Sequence, residues 1–323
     1  MIRRPSSTTL GALMIVIAAC GFGTLGPITR YADGAGVSSL ALATWRAGVG
    51  AVVVLVFLVA QSLAGRPSWR RWRDLPARDR IVLALAAGTN AFLNFAAFIA
   101  FVRIGIALTL LIFYVYPAFV ALASMVWFGE RLDRVRWGAL AMSMAGVVLV
   151  VVGQGELRAL DAIGIGLALA AALGQTFYAL AAHHWFRAVP GAQAAASTMG
   201  GAAILYLAAA LLFGQFAVMA QPLASGAALW PVLVAGIVGA GMPTVLFIRG
   251  IRLLGAPRAT ILSTLEPVVG VTLAAVLFAV VPSPLQLVGG GLIIAAGIVL
   301  QLRPHGEVAE HEAVAELPAD PSD

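Results

Sequence analysis

The sequence has little charge and contains no lysine. Of its 323 residues, 11% are charged and 61% are hydrophobic, and all 20 basic residues are arginine. A soluble domain carries roughly 25% charged residues, so this chain has too few polar residues to cover a water-soluble globule. Without lysine, the chain cannot be a P-loop ATPase or form a Schiff base at a lysine. The composition is typical of a protein that crosses a membrane several times.

Cysteine and histidine are scarce as well. The single cysteine, Cys20, excludes an intramolecular disulfide and a metal centre built from cysteines. The four histidines comprise the adjacent pair His183 and His184 and two residues near the C-terminus, His305 and His311. Because adjacent side chains on an α-helix point about 100° apart, His183 and His184 are not expected to provide two metal ligands on one helix face. We therefore expect no catalytic residues, no metal site and no cofactor, and the chain is not interpreted as an enzyme.

Ten apolar stretches are long enough to cross a membrane as helices. About 20 apolar residues span a hydrocarbon core of roughly 30 Å. The predicted spans are 9–29, 38–60, 81–102, 106–128, 135–152, 162–184, 195–214, 228–248, 257–280 and 285–302. The segment 303–323 is acidic and poor in apolar residues, which predicts a short disordered cytoplasmic tail.

The distribution of arginine predicts the orientation of these spans. Counted loop by loop from a cytoplasmic N-terminus, most arginines fall on the cytoplasmic side, as the positive-inside rule requires. The exceptions are Arg30, Arg103 and Arg158 in outer loops and Arg46 within a span. We expect a multi-pass protein of the cell inner membrane with both termini in the cytoplasm. The net charge of +6 then reflects topology and contact with anionic lipid rather than nucleic-acid binding.

An internal repeat is visible when the chain is aligned with itself at a spacing of 150 residues. The matches at this spacing include Gly105 with Gly255, Pro117 with Pro267 and Phe128 with Phe278. Five spans per unit would insert the second unit upside down, which predicts two inverted five-helix repeats at 1–152 and 153–302. Inverted repeats are the architecture of secondary transporters, whose substrate sites lie near the membrane midplane.

Four sequence motifs resemble one family. They are Ala-Leu-Ala-Thr-Trp-Arg-Ala-Gly (41–48), Phe-Tyr-Val-Tyr-Pro-Ala-Phe-Val (113–120) followed by Phe-Gly-Glu-Arg-Leu (128–132), Leu-Glu-Pro-Val-Val (265–269) and Gly-Gly-Gly-Leu-Ile-Ile-Ala-Ala-Gly-Ile-Val-Leu (289–300). The chain resembles the drug/metabolite transporter superfamily, in particular its EamA-like ten-helix exporters, over about residues 10–302. It departs from the family pattern at 278–282, where a second Gly-Glu is often present.

The resemblance implies a secondary active or facilitative transporter without ATP hydrolysis. Its substrates would be small metabolites, either amino acids or amphipathic drug-like compounds, moved outward by alternating access. An uncoupled channel or a non-transporting scaffold subunit is the alternative, although rings of charge and a carbonyl-lined filter loop are not visible in the sequence. The expected partners are the substrate and the lipid bilayer, and the chain would be a monomer or a homodimer.

Two charged side chains, Arg46 and Glu266, lie well inside predicted spans. A charge in the bilayer is costly, so each is a candidate functional residue. Glu266 could bind a substrate amine or take up a proton, or it could bond to main-chain groups near Pro267. Arg46 could attract a carboxylate substrate, or it could tie its helix to neighbouring carbonyls.

Neutral polar and aromatic residues extend this candidate substrate site. They are Asn90, Asn94 and Phe98 in the third span, Tyr114 in the fourth, Gln175 and Tyr178 in the sixth, and Ser263 in the ninth. The resemblance implies that these spans line a central cavity, in which Pro117 and Pro267 would kink their helices. Such residues also join membrane helices through hydrogen bonds, so a purely structural role remains the alternative.

Overall fold

A computed structural model describes residues 7–65, 69–130, 132–153 and 161–301, and within these ranges every regular element is helical. Some residues on which the predicted topology rests lie outside these ranges. They are Arg3, Arg4, Arg66, Arg131, Arg158, Arg303 and the predicted tail 303–323.

Nine described helices are long and apolar enough to cross a membrane, and a tenth apolar helix is shorter. We label the ten in chain order as α1 (Ser7–Gly34), α2 (Ser39–Leu63), α3 (Ala77–Ile104), α4 (Leu108–Phe128), α5 (Arg134–Val152), α6 (Ala162–Trp185), α7 (Gly191–Leu212), α8 (Gly226–Leu254), α9 (Ala256–Phe278) and α10 (Pro284–Gln301). The predicted all-α membrane fold is confirmed. The count of ten membrane crossings stays a prediction, because α10 is short.

Several helices begin where a polar side chain caps the first turn. Ser38 accepts a hydrogen bond from the Ala41 amide at the start of α2, and Asp161 accepts one from the Gly164 amide at the start of α6. Such caps satisfy amides that have no partner inside the helix. These caps account for the start of α2 at Ser39 and of α6 at Ala162.

The helix α8 extends beyond its predicted end at residue 248. Its last turns carry Arg252, which donates to three main-chain carbonyls at the end of α6, those of Ala182 (3.3 Å), Phe186 (3.0 Å) and Val189 (2.8 Å). A helix end leaves carbonyls without partners, and a guanidinium has five donors with which to satisfy them. The hydrogen bonds of Arg252 therefore join the end of α8 to the end of α6 and the residues that follow it.

Five of the spans contain an irregular segment. α1 is interrupted at Thr24, α4 between Phe113 and Tyr116, and α9 at Thr264. Two others contain a π-helical turn, at Ala181–Trp185 in α6 and at Ile237–Gly241 in α8. Pro117 and Pro267 each lie in the first turn of the segment that follows an interruption, where a missing amide hydrogen costs nothing.

Backbone conformations recur at the 150-residue spacing. Gly105 and Gly255, which precede α4 and α9, have φ of 82° and 83°. Gly129 and Ala279, which follow the same two helices, have φ of 66° and 53°. The two helices therefore begin after, and end before, residues with matching positive φ angles.

Close helix packing depends on small residues at the contacts. A Cβ atom added to Gly146 of α5 would lie 2.7 Å from the Gly289 carbonyl oxygen of α10, and one added to Gly289 would lie 2.5 Å from the Gly146 oxygen. The α2–α8 contact is also close, because a Cβ on Gly50 would lie 3.1 Å from the Gly236 oxygen. Small residues let backbones approach where lipid supplies no hydrophobic driving force.

The two ends of the bundle differ in packing. We call the end that holds Leu63, Phe128, Gly191 and Leu254 the arginine-rich end, and the other the opposite end. All eight residues of α9 near the arginine-rich end, Ala256–Ser263, are buried. None of the following segment, Leu265–Phe278, is buried. The helix α9 is therefore enclosed by other helices at the arginine-rich end and only partly covered toward the opposite end.

Candidate central site

A hydrogen-bond chain joins α2 to α3 in the interior. Arg46 donates from Nη2 to the Asn94 side-chain oxygen over 2.9 Å. The Asn94 amide nitrogen then donates to both the Asn90 carbonyl oxygen (2.8 Å) and the Asn90 side-chain oxygen (3.0 Å). Since Asn90 and Asn94 are one turn apart on one helix face, the two amides orient each other and present one acceptor to the guanidinium.

Glu266 faces this chain from α9. Its carboxylate lies near the Tyr114 hydroxyl of α4 and interacts electrostatically with the guanidinium of Arg46. The sequence left open whether Arg46 and Glu266 could meet. In the structure the two charges are close enough to interact electrostatically, while the direct hydrogen bond of Arg46 goes to Asn94.

A second link between α4 and α9 lies beside the two interruptions. The hydroxyls of Tyr116 and Ser263 are 2.5 Å apart, and both side chains are almost fully buried. The Thr176 hydroxyl of α6 lies within 3.5 Å of the Tyr116 carbonyl oxygen. Ser263 and Tyr116, the second tyrosine before Pro117, therefore join α9 to α4 beside the candidate site.

Gln175 and Tyr178 lie one turn apart on α6. The Tyr178 hydroxyl is 3.4 Å from the Thr198 hydroxyl of α7, and the tyrosine is buried. Gln175 is half-buried. The side chain of Phe98 lies outside the described part of the structure.

The helix α7 contributes a residue that the sequence analysis missed. Tyr206 is buried, donates to the Ala91 carbonyl oxygen over 3.1 Å and interacts electrostatically with Arg46. A usable signal was present, because the chain has only five tyrosines and a tyrosine in an apolar helix needs a partner for its hydroxyl. α7 is otherwise so rich in alanine that its pattern points to packing alone.

The site combines buried aromatic rings with polar groups that keep accessible surface. Arg46, Asn90, Asn94 and Glu266 are half-buried although they lie in the middle of their helices, whereas Tyr114 is 3% exposed. Polar atoms that remain accessible inside a helical bundle indicate room for water or a ligand between the helices. The arrangement offers one cationic and one anionic group with aromatic walls.

A separate group of polar residues lies at the arginine-rich end. The Nε2 atoms of His183 and His184 are 3.8 Å and 3.3 Å from the Glu130 Oε1 atom. Both rings approach one carboxylate, because Glu130 reaches them from the end of α4 and the histidines lie in a π-helical turn. Burial raises the pKa of Glu130 above its ordinary value, and the nearby Ser124 hydroxyl and the positive charges of Arg136 and Arg187 partly offset this shift.

Comparison with known proteins identifies the family that has this architecture. The family model described as "EamA-like transporter family" matches residues 9–152 and again residues 162–302. The chain belongs to the EamA-like transporter family. The resemblance to the drug/metabolite transporter superfamily is thereby confirmed, and the family consists of metabolite transporters rather than enzymes.

Individual relatives of this EamA-like chain carry transporter names. A riboflavin transporter of Rhizobium johnstonii is 31% identical over 45% of this chain and 46% of its own length, so the chain matches about half of that relative. A "Probable terminal-alkyne amino-acid exporter" of Streptantibioticus cattleyicolor is 28% identical over 86% of this chain and 88% of its own. One crystal structure superimposes with a TM-score of 0.77 over 90% of this chain and 96% of that chain, at 21% identity, which shows the fold.

Proposed function

We propose that this EamA-like protein is a secondary transporter that moves small zwitterionic or amphipathic metabolites, amino acids first among them, out of the cell. The observation that carries the proposal is the interior pair Arg46 and Glu266, two opposite charges that interact electrostatically and keep accessible surface. An amino acid presents the complementary pair, a carboxylate and an amine. The amino-acid exporter among the relatives supports this substrate class.

Each charge has a geometry suited to one end of such a substrate. Asn94 engages one terminal nitrogen of Arg46, and the planar guanidinium has further donors with which to bind a carboxylate in bidentate fashion. Glu266 would bind the amine or, in the empty state, a proton. The rings of Tyr114, Tyr116 and Tyr178 would contact the apolar part of the substrate.

The uneven packing of α9 supports transport by alternating access. Its first half is buried at the arginine-rich end and its second half is not, a difference that an outward-facing state would produce if the arginine-rich end is cytoplasmic. The interruptions at Tyr114 and Thr264 lie beside the site, where rocking of one half against the other would change the backbone most.

The repeated turns around α4 and α9 support two inverted repeats within this mechanism. We propose that 1–152 and 153–302 are the two units, that both termini are cytoplasmic and that the protein lies in the inner membrane. The two separate matches to the family model agree with this division. Both units contribute to the central site, Arg46 and Asn94 from the first and Glu266 from the second.

Counterflow in proteoliposomes tests the proposal. Liposomes containing the purified protein are loaded with an unlabelled mixture of neutral amino acids and diluted into buffer with traces of the labelled compounds. A carrier gives transient, saturable accumulation of label, and Arg46→Ala with Glu266→Ala abolishes it. Label that equilibrates without overshoot would indicate a channel, and flux no greater than in empty liposomes would indicate a scaffold or a different substrate class. Either outcome would overturn the proposal for amino acids. A parallel assay with labelled riboflavin distinguishes a scaffold from a transporter of a different substrate class.

A further inference from the structure

The histidine pair at the arginine-rich end forms a cluster with Glu130 that the central site does not use. The three side chains come from two helices, Glu130 from the end of α4 and both histidines from the last turn of α6. One potential ligand atom from each residue lies within 4.8 Å of the other two. We call these residues the Glu130–His183–His184 cluster.

The spacing of these atoms matches a metal coordination shell. With bonds of about 2.0–2.2 Å to nitrogen and oxygen, two ligands of a tetrahedral zinc ion lie about 3.4 Å apart. The two distances to Glu130 Oε1, 3.3 Å from His184 and 3.8 Å from His183, bracket that value. The third pair, one nitrogen from each histidine, lies within 4.8 Å. Modest movement of the side chains would therefore bring three ligand atoms around one ion.

An unsatisfied ligand atom points to the same conclusion. The Nε2 atom of His184 is buried and, within the described ranges, has no hydrogen-bond partner, because its approach to Glu130 is too poorly aligned. The ring is held in place by Phe128, on which it stacks with centroids 3.6 Å apart and planes 4° from parallel. A buried polar atom without a partner is costly, and a bound ion would satisfy it.

Arg187 is the group that opposes an ion at this position. It lies on the surface, with its Nη2 atom 3.2 Å from the His183 Nε2 atom and its Nε donating to the His183 carbonyl oxygen. Its positive charge also acts on Glu130, as does that of Arg136. An entering cation must displace the Arg187 guanidinium from His183, and the exposed side chain can withdraw into solvent.

We propose that the Glu130–His183–His184 cluster binds one divalent transition-metal ion of the zinc type. Two imidazoles and one carboxylate are a donor set that this class of ion prefers over magnesium or calcium, which favour oxygen ligands alone. The ion bridges α4 and α6 at the arginine-rich end and holds that end closed. The proposal replaces the expectation of no metal site, and the binding it describes is independent of the transported substrate.

Metal titration of the full-length, tag-free protein in detergent tests the site. Zn²⁺ binding is measured by calorimetry, and Co²⁺ is used as a probe because its visible absorption reports tetrahedral coordination. We expect one ion per chain. Glu130→Gln, His183→Asn and His184→Asn each weaken binding at least about tenfold, as expected when a ligand is lost. The matched control is His305→Asn with His311→Asn, which removes the other two histidines and leaves binding unchanged.

The variant Arg187→Ala gives a second test in which all three proposed ligands are kept. It removes the competing guanidinium, so Zn²⁺ affinity rises relative to the unaltered protein. This variant carries the test if a ligand substitution prevents folding, judged by a monodisperse elution profile and a cooperative melting curve. The proposal is overturned if Zn²⁺ does not bind, if binding survives His184→Asn in a folded protein, if the control pair loses it, or if Arg187→Ala leaves the affinity unchanged or lower.

Discussion

Arg46 of α2 and Asn94 of α3 are joined by a 2.9 Å hydrogen bond between a guanidinium nitrogen and an amide oxygen. This partner is neutral, so it satisfies a donor of the arginine without cancelling its charge. The charge is therefore left to act on Glu266 across the site. A neutral acceptor here keeps the arginine in place and available to an anionic group.

Replacing Glu266 by glutamine tests whether its charge serves transport. Glu266→Gln keeps the size of the side chain and an acceptor for the Tyr114 hydroxyl, so we expect an unchanged melting temperature. A hydrogen bond to a charged group is worth about 1.5–3 kcal/mol, so uptake should fall about ten- to hundredfold. Its dependence on pH between about 5.5 and 8 should also flatten, because the proton site is lost. Uptake in proteoliposomes that equals that of the unaltered protein throughout this range would contradict a role for the charge.

Replacing Asn94 isolates the support given to Arg46. Asn94→Ala leaves the guanidinium with one acceptor fewer in the interior and should lower the free energy of unfolding by about 1–3 kcal/mol. Asn94→Asp keeps the acceptor and adds a charge that neutralises Arg46, so this variant should be stable but transport poorly. Equal transport by Asn94→Asp and the unaltered protein would show that the free charge of Arg46 is not needed.

The hydroxyl pair Tyr116 and Ser263 can be measured with a double-mutant cycle. We expect Tyr116→Phe and Ser263→Ala each to destabilise the protein by about 1 kcal/mol, and the double variant to lose less than the sum, because one shared bond is removed. Tyr178→Phe is the matched control, since its contact with the Thr198 hydroxyl is longer, at 3.4 Å, and its loss should cost less. Unfolding in denaturing detergent provides the measurement, and strict additivity would contradict the pairing.

The left-handed residues after α4 and α9 are Gly129 and Ala279. Exchanging glycine and alanine should therefore have opposite effects on stability at these two positions. Ala279 adopts φ of 53°, a conformation that costs an L-residue roughly 1–2 kcal/mol, so Ala279→Gly should stabilise the protein by about 1 kcal/mol. Gly129→Ala at the matching position should destabilise it by a similar amount, although no atom lies within 4 Å of the added Cβ. Gly26→Ala, a helical position with equally open surroundings, is the control and should not destabilise the protein, because alanine favours the helix over glycine.

The surface pair Arg103 and Asp161 predicts an acid-dependent loss of stability. The hydrogen bond from Arg103, 2.8 Å long, holds the pKa of Asp161 below its ordinary value, and the capping bond from Gly164 adds to the effect. Because the folded-state pKa is the lower one, the stabilisation is present above the unfolded value of about 3.9 and is lost as the pH falls below it. Asp161→Asn should lower the melting temperature at pH 7 and bring the two proteins closer together at about pH 3. A constant difference between them would argue against the ion pair.

Much of the fold could be predicted because its signals are local. Hydropathy located the apolar helices, and the paired Pro117 and Pro267 marked the two helices that are interrupted beside the site. The ends of helices were less predictable. α8 continues to Leu254 because Arg252 finds carbonyl partners on α6, a contact between residues far apart in the chain.

The candidate site was predicted in part. The charged residues Arg46 and Glu266 were identifiable because charge is rare in such a chain. The rarity of tyrosine marked Tyr206 as a residue that needs a partner, but its actual partners depend on α7 lying beside α2 and α3. The meeting of His183 and His184 at Glu130 depends on a π-helical turn and on where α4 ends, and neither has a sequence signal.

The sequence by itself determined the class of protein, the approximate helices and the family, because the preference of each residue for lipid or water is a property of that residue and its neighbours. Only the tertiary structure decided which polar groups face one another. Arg46, Asn94, Tyr114 and Glu266 lie on four helices, and a change in one crossing angle would separate them. Contacts between helices depend on packing of small residues such as Gly50, Gly146 and Gly289 at close range, which no one-dimensional pattern specifies.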